Sequence, residues 1–208
     1  MGDEIKLKRL WFALKAEKRL ILVVTALFFV SALMGSVNTE QWRKLFDQLQ
    51  IFDHFDKMIQ SLGANPSWFK VSKEIFINNL TACLMLIGMG VLLGIPTISS
   101  LITNGLLVGY VITVSSQETG ISGWSLFFTK IVPHGIFELP AIFLAAALGL
   151  RIGISVFSSV VSLFKSANRT QTQVEWKEIG QRLPLLLGLI VLLLLIAASV
   201  EGLLITSV

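Results

Sequence analysis

Residues 75–117 read IFINNLTACLMLIGMGVLLGIPTISSLITNGLLVGYVITVSSQ and contain no Asp, Glu, Lys or Arg. A helix needs about 20 mostly apolar residues to cross roughly 30 Å of hydrocarbon. The block therefore has room for two crossings. Gly94-Ile95-Pro96 near its middle is the natural break, because proline cannot continue a helix and glycine tolerates a sharp turn. Lipid cannot satisfy exposed peptide groups, so regular helix is the expected backbone on both sides of that turn. The spans expected here are 75–94 and 97–114, arranged as a tight antiparallel hairpin.

Outward from this block the same logic repeats. The 208 residues are 54% hydrophobic and 14% charged, against about 25% charged in an average soluble domain. Residues 20–37 and 183–200 are charge-free and give a first and a fifth span. Residues 126–150 give a fourth, interrupted by Lys130, Pro133, His134, Glu138 and Pro140. Ile152–Phe164 is too short to span alone and reads as an interfacial helix or the tail of a long tilted one. The fold class is thus an all-α integral membrane protein of about five transmembrane helices, with a kinked or re-entrant fourth segment.

The segments between spans also have character. Residues 4–19 are basic, with Leu7, Leu10, Trp11 and Leu14 at helical spacing. They predict an interfacial helix ahead of the first span; a secretory signal peptide is the competing reading, without a clear cleavage site. In residues 40–62, Trp42, Phe46, Leu49, Phe52, Phe55 and Ile59 recur every three or four positions among acidic residues. That is an amphipathic helix too polar to cross. Residues 165–182 are a polar linker, expected to be cytoplasmic.

Placing the N-terminus inside puts eleven of the Lys and Arg residues on the cytoplasmic side and six outside. The excess favours a cytoplasmic N-terminus and an extracytoplasmic C-terminus. Trp11, Trp68, Trp124 and Trp176 flank apolar blocks, as an aromatic belt requires. The net charge of +4 therefore reads as topology, with no basic-aromatic stripe or zinc spacing to suggest nucleic acid. Cys83 is alone and cannot build a disulfide framework.

Chemistry concentrates in Lys130–Pro140, KIVPHGIFELP. Lys130, His134 and Glu138 are spaced four and four, so a helix would align them as one polar stripe. Ionisable groups at membrane depth normally face protein or a wet cavity. Pro133, Gly135 and Pro140 loosen the same stretch. One reading is a ligand or proton-transfer site, with His134 titrating and Glu138 holding it. The other is a polar clasp that fixes helix register. Asn78, Asn79 and Asn104 are expected to turn toward protein, Asn104 as a candidate partner of His134. Gly90 with Gly94, and Gly105 with Gly109, are small-xxx-small pairs that permit close helix approach. No cofactor or metal is implied: His134 and Glu138 are too few ligands, and His54 is distant. No serine–histidine–acid set, HExxH or phosphate-cradling glycine loop occurs.

Asn78-Asn79, Gly88 to Gly94 with Pro96, Thr103-Asn104-Gly105 with Gly109, and Pro133-His134-Gly135-Ile136-Phe137-Glu138-Leu139-Pro140-Ala141 together resemble the stage II sporulation protein M family. The resemblance covers nearly the whole chain and fits the broader branch found also in organisms that do not sporulate. It implies a membrane scaffold without catalysis of its own; the founding member gathers peptidoglycan-degrading partners during engulfment of the forespore. The function expected is a non-enzymatic scaffold or assembly factor, with protein partners in the membrane or envelope and a possible homo-oligomer. Residues 40–62 are its expected partner surface. The alternative is a small transporter or channel-like subunit built around Lys130, His134, Glu138 and Asn104.

Overall fold

The computed structural model describes residues 2–63, 65–164 and 169–207. Among them are five helices long and apolar enough to cross a membrane. In order the helices are α1 (Gly2–Gly35), α2 (Thr39–Gln48), α3 (Ile51–Leu62), α4 (Trp68–Gly88), α5 (Ile95–Thr119), α6 (Gly123–Leu126), α7 (Val132–Phe164) and α8 (Arg169–Thr206).

Helix α7 is the centre of the bundle. Ala141, Phe143, Leu144, Ala145, Ala146, Ala147 and Leu148 are all buried, so this stretch is covered on every side. Four alanines in the run let α1, α4, α5 and α8 approach closely around it. Over half of the apolar window of α7 is buried, 56% against 22–33% for the other four spans. The outer spans turn their remaining apolar surface toward lipid, as Leu22, Val30, Leu84, Val111 and Leu192 do.

Several segments differ from the sequence reading. Residues 4–19 are no separate interfacial helix: α1 runs unbroken from Gly2 to Gly35, because no glycine or proline interrupts it. The amphipathic segment 40–62 is two helices, broken at Leu49-Gln50, where Gln50 takes a left-handed φ of 54°. Helix α4 begins at Trp68, with the Ser67 hydroxyl accepting from the Lys70 amide, so this span starts earlier than the charge-free block. The second crossing ends through a short 3-10 turn, Met89–Val91. Gly94, at φ 72°, then starts α5, with Pro96 in its first turn.

The short turn does not make α4 and α5 a closely packed pair. Helix α5 packs chiefly along α1, and α4 along α8 and α7. The stretch expected to kink or re-enter is helical throughout. A wide π turn, Phe127–Ile131, leads into α7, which passes through Pro140 without a break. A proline ring clashes with the carbonyl four residues earlier. The widened turn just before Pro133 opens that side of the helix. Helix α7 carries the fourth crossing, and Ile152–Phe164 is the tail of this one long helix. Most of the polar linker also joins a span, since α8 is continuous from Arg169; residues 165–168 lie outside the described residues.

Candidate functional site

Helix α7 presents Glu138, half-buried in the bundle. Its carboxyl lies within electrostatic range of Glu201 on α8 and of the Cys83 thiol on α4. Asn79 stands one turn before Cys83, and the half-buried Asn78 side-chain amide donates to the Asn79 side-chain Oδ1 at 3.3 Å. Farther along the same α4–α8 contact, the buried Ser72 hydroxyl has no hydrogen-bond partner among the described residues. It sits directly against Gly202, where any side chain would collide with it. Three helices thus contribute polar groups to one region.

The other predicted members do not join this group. Lys130 is exposed in the π turn, where the widened register breaks the four-and-four stripe. Asn104 is exposed as well, and its amide donates to the Ser100 carbonyl of its own helix at 3.0 Å. It does not turn toward protein as expected. His134 lies in α7, but its side chain is outside the described residues, as are those of His54, Phe55 and Ile59. Among the described residues no group of three or more His, Cys, Asp or Glu is placed to hold a metal.

The glycines form two backbone contacts that the sequence did not pair. Gly105 meets the Phe28 carbonyl and Ser31, and Gly109 meets the Ala32 carbonyl, while Gly35 meets Leu106 in return. These residues join α5 to α1. Gly90 lies on Gly149, and Gly153 on Leu93 and Gly94, joining the α4–α5 turn to α7. Thr97 completes this second contact, its hydroxyl donating to the Leu86 carbonyl at 2.8 Å. Gly149 and Gly153 are spaced four apart like the predicted pairs, a signal visible in the sequence. Gly135 is different: a Cβ there meets only Ile131 and Leu139 of its own stretch, at ordinary distances.

The larger omission is a charge layer at one end of the bundle. Glu17 on α1 is buried, and its carboxylate accepts from the Arg151 guanidinium of α7 at 2.9 Å. Arg182 of α8 lies 3.7 Å from the other oxygen and pairs with Glu178 at 2.7 Å. Arg151 and Arg182 each border a charge-free run in their helices, and Glu17 stands three residues before the one in α1. That shared position was the available clue. Beyond this layer α1, α7 and α8 continue for roughly 20 Å as helix. Thr172 and Ser155 are buried there, and the Trp176 indole donates to the Ser159 hydroxyl at 2.9 Å.

The amphipathic segment is docked through α2. Phe46 is wholly buried against Leu106 and Tyr110 of α5, with ring centroids 5.4 Å apart for Phe46 and Tyr110. Its apolar side is therefore used within the chain.

Comparison with known proteins gives consistent results. Residues 23–205 match the model of a family described as Stage II sporulation protein M. An uncharacterized protein of Methanocaldococcus jannaschii is 27% identical over 191 residues, covering 89% of this chain and 81% of the relative. A second uncharacterized protein of that organism is 30% identical over 183 residues, covering 87% and 90%. No solved structure matches the chain significantly.

Proposed function

The chain belongs to the stage II sporulation protein M family, and on that premise we propose that it is a membrane scaffold or assembly factor that recruits partner proteins in cell-envelope remodelling. Its class is already a non-enzymatic, multi-pass membrane protein. The observation that carries the recruiting role is the arm built by α1, α7 and α8 beyond the charge layer. Leu7, Trp11 and Phe12 on α1 are about two-thirds exposed, and Leu163 and Phe164 on α7 more than four-fifths. Large apolar side chains outside a bundle mark interaction surfaces. Residues 40–62 become the weaker partner surface, because Phe46 is already occupied. The excess of Lys and Arg supports a cytoplasmic arm and an extracytoplasmic C-terminus in this reading.

A photo-crosslinking residue in place of Phe12 or Leu163, in native membranes, tests this. Discrete protein adducts are expected at both positions, and few at the lipid-facing Leu22. Adducts to lipid alone would overturn the reading.

The transport reading rests on a different observation, the placement of Glu138 within electrostatic range of Glu201 on α8 and Cys83 on α4. It requires Glu138→Gln to preserve folding and abolish ion- or substrate-dependent flux in proteoliposomes. The scaffold reading requires that variant to lose partner recovery or folding together with function.

A further inference from the structure

Just outside the charge layer, a cavity of about 420 Å³ opens between α1 and α7, lined by Lys15, Ala16, Lys18, Arg19, Leu20 and Arg151. Four of these six residues are cationic. The internal acids are already used: Glu17 and Glu178 are matched by Arg151 and Arg182. No carboxylate among the described residues pairs with Lys15, Lys18 or Arg19, and all three are exposed. The cavity therefore carries about three uncompensated positive charges.

We propose that this cavity is a binding site for the phosphate headgroup of an anionic membrane lipid. Its depth fits that ligand. Leu20 begins the charge-free part of α1, so the cavity lies where hydrocarbon gives way to headgroups. Leu20 offers apolar lining for the glycerol end of the lipid, and Lys15, Lys18 and Arg19 precede it on α1 toward the headgroup side. Arg151 is set by the fold. Its Nε is held by the buried Glu17, and one terminal nitrogen reaches the Ala16 carbonyl at 3.4 Å. The guanidinium edge left over is a planar donor suited to phosphate oxygens. Lys15 and Lys18 supply mobile point charges on long stems that reach from the apolar boundary into the headgroup layer. Basic pockets between spans are a known way of selecting anionic headgroups. A diffuse basic surface would instead attract such lipids without saturation.

Native mass spectrometry of the detergent-purified chain, titrated with phosphatidylglycerol or phosphatidylcholine, distinguishes these cases. One phosphatidylglycerol is expected to be retained per chain, with phosphatidylcholine at least fivefold weaker. The triple variant Lys15→Gln, Lys18→Gln, Arg19→Gln should lose that retention, since it leaves the Glu17–Arg151 pair intact. The matched variant Lys6→Gln, Lys8→Gln, Arg9→Gln, which removes equal charge farther out on α1, should keep it. An unchanged thermal midpoint and elution volume for both variants establishes that the fold is retained. Equal loss in the two variants, or equal retention of the zwitterionic lipid, overturns the site. Displacement of the lipid by millimolar inorganic phosphate also overturns it, by making the cavity a free-phosphate site.

Discussion

Glu17 and Arg151, 134 positions apart, form a 2.9 Å ion pair in which the carboxylate is almost fully buried and the guanidinium about a third exposed. Breaking a buried pair by removing one partner costs about 3–5 kcal/mol. Here the stranded Arg151 has access to water, so Glu17→Ala is expected to cost about 2 kcal/mol, toward the value of an exposed pair. Arg182→Ala removes the longer contact to Glu17 and a half-exposed pair one turn away with Glu178, and should cost below about 1 kcal/mol. Thermal unfolding in one detergent gives the ranking, which fails if Arg182→Ala is the more damaging.

Gly109 and Gly149 each touch the backbone of a neighbouring helix, leaving no room for a Cβ. Gly109→Ala and Gly149→Ala should each destabilise by about 1–3 kcal/mol through forced separation of helices. Gly188 in α8 has open space around it. Gly188→Ala should be neutral or stabilising by up to about 1 kcal/mol, from helix propensity. The monodisperse fraction after purification reads the contrast.

Phe46 fastens α2 to α5. Phe46→Ala should cost about 3 kcal/mol in local packing, yet the bundle core around α7 does not include this contact. Hydrogen exchange is therefore expected to rise across residues 39–48 while protection of 141–148 persists. Equal loss in both segments would show that α2 docking supports the whole bundle.

Trp176 and Ser159 connect the projecting parts of α8 and α7 through one hydrogen bond. A double-mutant cycle of Trp176→Phe and Ser159→Ala should give a coupling of about 0.5–1 kcal/mol. Zero coupling would show that this hydrogen bond does not hold the two helices together.

The spans were legible because hydrocarbon imposes a one-dimensional rule on sequence. A long charge-free run must be helix and must be buried in lipid or protein, whatever its neighbours do. Family resemblance was legible through the motifs around Asn104 and Glu138 for the same local reason. The limits of elements were less so. Lys8, Lys15 and Lys18 made the start of α1 look like a surface helix, but charge beside an apolar run does not break a helix. Pro133 and Pro140 have the chemistry of breaks, yet Pro133 follows a wide turn and α7 runs on through Pro140.

The sequence by itself determined the number of crossings, the helical backbone and the membrane setting of this protein, because burial in lipid depends on composition along the chain. Only the tertiary structure decided which helices touch. It sent Gly105 and Gly109 to α1 and Gly90 to α7, instead of closing α4 on α5. It left Asn104 outside and drew Glu17, Arg151 and Arg182 into one layer. Contacts between helices depend on rotation about each axis and on depth in the membrane. Neither is encoded in the spacing of one helix alone; both are set when complementary surfaces from distant parts of the chain pack together.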